Sequence, residues 1–441
     1  MRALLRSRFG IIVLLTIGFS TVMINPASAH NEIVSSSIVD GAVLPTSPTL
    51  WELTFAKDVP LDSASGEIIG PDRSITQLGA ASYGANATVI RFALPANLSG
   101  QQTTRWRLVS MDGHVISGRN TFTVSNVVVD PTSAVLGAGE TAGTDDSTSP
   151  APEPLRWVIR LLGFFALLGL GGLLVNELYI VEGVFGASRD KPILKVIAGA
   201  LVAVPLLQML IFLGDVFSTS IVGSVGHLFD IFDTTPGSMM AVRTMLGGVL
   251  AYQILTIMRG ESTVRDQRLV LAVGGLYAFT QAYTGHSRSK AIPLIGIPAD
   301  TVHLIAASVW LGGLAILIFI AAPLLETKDL WRSFERYSQT AKIAVIALVV
   351  TGFIQTLRLH GGITTLFTQS HGQLLLLKIL VVAVMLRLGD LNRRRITARM
   401  KDNPNLMEKR LSQITKMATT EVATGGVVLA VTAALVTASF S

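Results

Sequence analysis

From Leu155 onward the chain is a succession of apolar runs broken by short polar ones, and eight of those runs are long enough to cross a bilayer: 155–182, 193–217, 237–258, 268–285, 298–325, 339–359, 372–391 and 418–440. A helix of about 20 apolar residues spans the hydrocarbon core. Half of the 441 residues are hydrophobic and only 15% are charged, too apolar a balance for an ordinary soluble chain of this length. Residues 155–441 therefore read as an all-α polytopic membrane domain of eight transmembrane helices, with the lipid bilayer as its partner. Alternating the loops from an inward-running first helix puts Arg189 and Lys191, Arg259 and Arg265, Lys328, Arg332 and Arg336, and the cluster from Arg393 to Lys416 on the cytoplasmic side. The outer loops carry only Arg288 and Lys290, which is the asymmetry expected when basic loops stay inside. The formal charge of +6 is explained by these loops, so no nucleic-acid partner is read from it. No cysteine is present, which excludes disulfides, zinc–thiolate sites and thiolate transfer of soft metals.

Ahead of this domain, Arg2, Arg6 and Arg8 precede an apolar run from Phe9 to Ile24 and then Ala27-Ser28-Ala29, the small-x-small pattern that signal peptidase reads. Residues 1–29 are thus expected to be a signal peptide whose removal exposes His30; the alternative is an uncleaved anchor, for which the run is short. Residues 30–126 read as short strands. In TLWELTF, Trp51, Leu53 and Phe55 share one side, and in ATVIRFAL so do Ile90, Phe92 and Leu94. Turn signals such as Asp40-Gly41 and Ser99-Gly100 fall between the runs. A small exported all-β domain follows, Ig-like or Greek-key in type. Residues 127–154, rich in Thr, Ser, Gly, Ala, Asp and Pro without periodicity, form a flexible linker spanning roughly 30 Å root-mean-square.

The sequence VSMDGHVISGRNTFTV falls between two expected strands. In an extended segment residues two apart point the same way, so Asp112 and His114 can face one ion across Gly113. A D-x-H pattern alone is read by default as a polar turn with a hydrogen-bonded histidine. A chain that begins at His30 adds an α-amine and an imidazole nitrogen that close a chelate ring. Three nitrogens and a carboxylate oxygen suit tetragonal Cu(II), which also heads the divalent affinity order, while zinc and nickel remain open on ligand type.

HNEIVSSSIVDGAVLPTSPTLWELTF together with VSMDGHVISGRNTFTV resembles the CopC family of secreted copper-binding β-barrels over nearly all of residues 30–126. That resemblance implies His30, Asp112 and His114 as Cu(II) ligands. Met111 is the domain's only methionine, so the resemblance supports a Cu(II)-only member rather than one with a Met-rich Cu(I) site. In TFAKDV, Ala56 and Lys57 stand where the family often has an acidic residue after the Phe, which leaves the three ligands but puts any further acidic contact in doubt.

The membrane part holds His227, His286, His303, His360 and His371, and the topology above puts each in an outer loop or the outer part of a helix. Taken singly, His227, His360 and His371 read as interfacial residues. In ADTVHLIAASVWLGGL, helical spacing puts Asp300, His303, Ala307 and Trp310 on one face, and ionisable residues inside a span usually face a partner or a water-filled path. Ala306, Gly312 and Gly313 would let a neighbouring helix approach. This segment, with TGHS before it and QTAKIAVIALVVTGFIQT and LLLLKILVVAVMLRLGDLNRRR after it, resembles the CopD family of copper-resistance membrane domains. Carried over by that resemblance, His286, His303, Trp310 and Lys378 fall on family motif positions. With Asp300 they form the expected transport path. Arg243 and Lys378 either snorkel outward or balance Asp300 and other acids.

A fused CopC–CopD copper protein of the import or resistance type is the resulting expectation. In it the β domain, on the outer side of the cell membrane, captures copper as Cu(II) and the helices admit it. No G-x-x-x-x-G-K-[ST] phosphate loop is present, so no nucleotide drives the process directly. No enzyme activity is expected; the rivals are an N-terminal-histidine copper monooxygenase, a haem protein with paired histidines, and outer sequestration without transport. The sequence leaves a reductase or copper-chaperone partner unassigned.

Overall fold

The computed structural model describes residues 33–109, 115–125, 153–183, 185, 192–217, 219–284, 293–360, 373, 375–387, 389 and 407–437. They fall into two compact units, one made of 33–125 with 209–238 and the other of 153–208 with 239–437.

Among the described residues, nine strands build the first unit: β1 (Ile33–Ser36), β2 (Ala42–Leu44), β3 (Leu50–Phe55), β4 (Ser65–Ile69), β5 (Ile75–Gln77), β6 (Ser82–Tyr83), β7 (Val89–Ala93), β8 (Gly100–Val109) and β9 (Val115–Val124). They form two sheets, ordered β1-β3-β7-β6 and β2-β9-β8-β4-β5. Of the described strands, β2 and β9 pair in parallel and the other neighbours are antiparallel. The alternation seen in the sequence sets the packing. Trp51, Leu53, Phe55, Ile90, Phe92 and Leu94 of one sheet are buried against Ile68, Trp106, Leu108, Ile116, Phe122 and Val124 of the other. Each such side chain contributes about 1.5–3 kcal/mol on burial. Phe55 meets Trp106 edge-on at 5.2 Å, which locks the two sheets together. The turn glycines behave as expected: Gly41 and Gly100 have φ of 77° and 73°, a region open to glycine at no steric cost. Gly118 lies opposite Trp106, and a Cβ there would come within 2.8 Å of the indole nitrogen.

The helices are α1 (Glu153–Val175), α2 (Pro192–Val216), α3 (Thr235–Arg259), α4 (Val264–Tyr283), α5 (Pro293–Ala307), α6 (Thr327–His360), α7 (375–387) and α8 (Met407–Thr437). Among the described residues, five stretches are long and apolar enough to cross a membrane by length and composition: Leu155–Ile180, Pro192–Val216, Thr235–Arg259, Pro293–Leu324 and Thr327–Arg358. The remaining runs, 268–285, 372–391 and 418–440, fall on α4, α7 and α8. These are helical but, over the described residues, shorter or more charged: α4 opens with Arg265, Asp266 and Arg268, and α8 with Glu408, Lys409 and Arg410.

Two features differ from simple periodicity. First, α6 begins at Thr327 rather than near 339, so Lys328, Arg332 and Arg336 sit on its opening turns and not in a loop. At 1.5 Å per residue its 34 residues run to about 51 Å, longer than the hydrocarbon core. The extra turns are held by Leu330 packed near Ile414, and by Arg336 bonded to the Tyr179 carbonyl and to Glu182 at 2.7 Å. Second, α5 continues past Ala307 through a π turn at Ser308–Gly312, a short α segment and a second π turn at Leu317–Ala321, and α1 ends in its own π turn at Asn176–Ile180. The small residues anticipated for close approach are used here. A Cβ at Gly312 would run into the Leu168 carbonyl and one at Gly172 into the Gly312 carbonyl, so α1 and α5 touch backbone to backbone. The buried Asn176 amide donates to the Gly172 carbonyl at 2.8 Å and to the Gly313 carbonyl at 3.0 Å, tying the irregular turns of the two helices.

Candidate functional site

The expected ligands His30, Asp112 and His114 lie outside the described residues, as does His286. The frame that leads to them is described. Val109 and Val115 are the last rung of the β8–β9 ladder, and Val109 is pinned by its N–H to Ser63 Oγ at 2.9 Å. Ile33, three residues after His30, pairs with Phe55, whose ring rests on Trp106 three residues before Val109. Ile33 and the Val109–Val115 rung are thus at one end of the sandwich.

In the second unit, α5, α6 and α7 bring polar groups to one level. Gln355 of α6 donates to Asp300 Oδ1 of α5 at 2.8 Å. One turn along, His303 Nδ1 is 2.9 Å from Thr351 Oγ1. The Thr351 hydroxyl donates its single hydrogen to the Ala347 carbonyl at 2.6 Å, so toward His303 it accepts. The ring therefore carries its hydrogen on Nδ1 and leaves the lone pair on Nε2, the same kind of neighbour contact that fixes the tautomer of metal-binding histidines. Gly352 keeps the approach open, with His303 Cε1 3.8 Å from where a Cβ would stand. Lys378 of α7 is within electrostatic reach of both Asp300 and His303. Arg358 of α6 reaches Asp300 in the same way and lies over Gly296, where a Cβ would strike its guanidinium.

Asp300, His303 and Lys378 are thus brought together. Trp310 is placed differently: the π turn interrupts the 3.6 spacing after Ala307, its side chain is buried in the apolar core, and its carbonyl accepts from the Tyr337 hydroxyl at 2.9 Å. Arg243 of α3 is buried against the end of α4, where it donates to Thr280 Oγ1 at 3.1 Å, to the Thr280 carbonyl and to Thr284 Oγ1 at 2.6 Å. Thr351, Gln355 and Arg358 were not singled out from the sequence. Their signal was available: spaced by four and three, they form one polar stripe on the largely apolar second half of α6.

Residues 33–125 match the family model described as CopC domain, and residues 331–435 that described as Copper resistance protein D. Both matches thus stand in one chain. Lys378 lies inside the second match; His286, Asp300, His303 and Trp310 precede it. The chain is similar to Copper transport protein CutJ of Bacillus subtilis (strain 168), with 24% identity over 408 residues, 88% of this chain and 71% of that protein. It is similar to Inner membrane protein YebZ of Escherichia coli (strain K12), with 28% identity over 221 residues, 47% of this chain and 73% of that protein. Among solved structures, CopC from Methylosinus trichosporium OB3b aligns at 24% identity over 22% of this chain and 94% of its own, with a TM-score of 0.21. PcoC, a methionine-rich copper resistance protein from Escherichia coli, aligns at 27% over 22% of this chain and 100% of its own, with a TM-score of 0.19.

Proposed function

We infer that the chain acquires copper: the β domain captures Cu(II) outside the cell through the amine and imidazole of an N-terminal His30, with Asp112 and His114, and the helical domain admits copper past His286, Asp300 and His303. Residues 1–29 act as the export signal, 127–154 as the tether, and eight helices cross the membrane with the β domain outside. The ligands of capture must lose protons before they bind, so the site fills at neutral pH and empties in acid. The observation that carries the passage reading is the fixed ring of His303, its Nδ1 held by Thr351 at 2.9 Å with Asp300 one turn away. A histidine placed only for packing needs no such orientation. Lys378 balances the Asp300 carboxylate while no metal is near, and Trp310 closes the apolar core further along α5. The driving force is a gradient, the membrane potential or trapping of copper inside.

Capture and passage separate in one experiment. His303→Ala should leave Cu(II) binding intact and lower copper uptake at every external concentration, whereas His30→Ala or His114→Ala should lower uptake mainly when copper is scarce. Normal uptake by His303→Ala at normal protein levels refutes the route. The second reading, outer sequestration without crossing, draws support from the words copper resistance in the family description. Equal copper accumulation under limitation in cells with and without the gene would favour it.

A further inference from the structure

We propose that residues 217–234, the segment that joins α2 to α3, lie in the bilayer surface with Phe229 and Phe232 among the lipid acyl chains; this rests on the reading that α2 and α3 cross the membrane. Four large apolar side chains of the segment stand open: Val222 is 81% exposed, Val225 54%, Phe229 88% and Phe232 60%. A single exposed apolar residue is ordinary, but four in one short segment, two of them aromatic, form a patch that calls for an apolar partner. The segment holds them out by packing small and polar residues inward. Ser224 is fully buried and donates to the Ser220 carbonyl at 3.0 Å, while the Gly223 N–H donates to Ser220 Oγ at 3.1 Å. Ile231 is buried, and a Cβ at Gly237 would stand 2.5 Å from its carbonyl, so the turn into α3 is close-packed.

The chain on either side identifies the partner as lipid. Because α2 ends at Val216 and α3 begins at Thr235, the segment starts and ends where two spans leave the hydrocarbon. The exposed apolar series continues on those spans, through Leu206 of α2 and Val242 and Met245 of α3. The segment has no lysine or arginine, and its ionisable residues are His227, Asp230 and Asp233. That composition suits neutral zwitterionic headgroups, since anionic lipid is recognised by basic clusters. His227 Nδ1 is 2.9 Å from Asp230 Oδ2, and Phe217 stacks on the imidazole with ring centroids 4.1 Å apart and planes 8° from parallel. These two polar side chains are paired yet 39% and 44% exposed, which fits the headgroup level, with the open aromatic rings reaching below it.

One end of the segment touches the β domain. Arg107 of β8 donates to the carbonyl of Asp215 and, at 3.3 Å, to that of Val216, the last residue of α2. The segment therefore meets the sandwich where it begins and lipid along its length. Phe229 and Phe232 set in lipid keep the sandwich at the membrane surface.

The test uses the full-length chain in phosphatidylcholine nanodiscs. The chain has no cysteine, so Phe229→Cys, Phe232→Cys, Met245→Cys and Ser82→Cys each carry one thiol for a nitroxide label. All four positions are exposed, so neither the change nor the label disturbs a core. Power-saturation electron paramagnetic resonance then reads collisions with oxygen, which concentrates in lipid, and with a water-soluble nickel chelate. Labels at 229 and 232 should lose nickel collisions and keep oxygen collisions, as the label at 245 in the middle of α3 does, whereas the label at 82 on β6 keeps both. Labels at 229 and 232 open to nickel stand in water, and labels shielded from both reagents are covered by protein, a second copy of the chain included. Either result overturns the lipid seat while a nickel-shielded label at 245 leaves the span standing. A label at 245 open to nickel overturns the crossing of α3, and the lipid seat with it.

Discussion

Thr351→Val isolates the orientation of His303 from its presence. Valine has nearly the shape of threonine, and the Ala347 carbonyl that loses the hydroxyl is one turn back in a continuous helix, so packing should hold. What disappears is the acceptor 2.9 Å from His303 Nδ1. Side-chain hydrogen bonds between membrane helices average about 0.6 kcal/mol with a maximum near 1.7 kcal/mol, and about 1.4 kcal/mol is tenfold in a population or rate. The correctly oriented ring should therefore become about 3- to 18-fold scarcer, and maximal copper uptake should fall by the same factor if His303 Nε2 is on the route. Thr351→Ser restores the acceptor and should restore uptake. The assay is initial copper uptake by cells expressing each variant at matched protein levels, read by elemental mass spectrometry across external copper, with Cu(II) affinity of the β domain measured alongside. The affinity should not move, because Thr351 is in the other unit. Wild-type uptake by Thr351→Val, or equal losses in the valine and serine variants, refutes the orientation argument.

One residue added before His30, or His114→Ala, should remove a ligating nitrogen and weaken Cu(II) binding, measured by competition with a copper chelator; unchanged affinity contradicts the ligand set. Binding should weaken as pH falls through about 6.5, the ordinary imidazole value, because protonated rings cannot ligate; a flat competition titration from pH 8 to 5 contradicts a nitrogen-rich site. Gly118→Ala forces a methyl against the Trp106 indole at 2.8 Å, an overpacking cost of about 1–3 kcal/mol, and should lower the unfolding midpoint of the β domain by about 4 °C or more in heat-coupled proteolysis of the full chain. Gly312→Ala should separate α1 from α5 and lower the thermal stability of the detergent-solubilised protein, since the new methyl meets a backbone carbonyl that cannot turn aside.

The β domain was legible because a sheet with one buried face writes a two-residue period into the chain, and Trp51, Leu53, Phe55 or Ile90, Phe92, Leu94 repeat it without interruption. The helices were legible for the complementary reason, that lipid selects for composition over long runs. What composition cannot carry is where a helix ends once it leaves the bilayer, hence the early start of α6, or where its pitch changes. Nothing in SVWLG or LIFIA marks a π turn, because the turn arises from packing against α1 and not from local preference. The Arg107–Val216 contact joins residues 109 apart in sequence and leaves no local pattern. His227 reads in sequence as one more interfacial histidine; only the placement of Phe217 and Asp230 about it gives its ring a fixed tautomer.

The same close packing that sequence could only suggest also confines the proposed route. Gly312 lies nine residues beyond His303 on α5, about 13 Å further along at helical rise. At that depth the α1 and α5 backbones are in contact through Gly172 and Gly312, and the Asn176 amide fills the remaining gap by bonding the Gly172 and Gly313 carbonyls. Backbone groups released by the π turns are thus satisfied within protein, as a membrane interior requires. No ion can pass where two helices meet carbonyl to Cα. Polar groups on α6 and α7, in contrast, stand beside Asp300 and His303: Gln355, Thr351, Arg358 and Lys378. On the proposed route, copper at Nε2 of His303 would have its onward direction set by that asymmetry, away from α1 and toward the polar groups of α6 and α7.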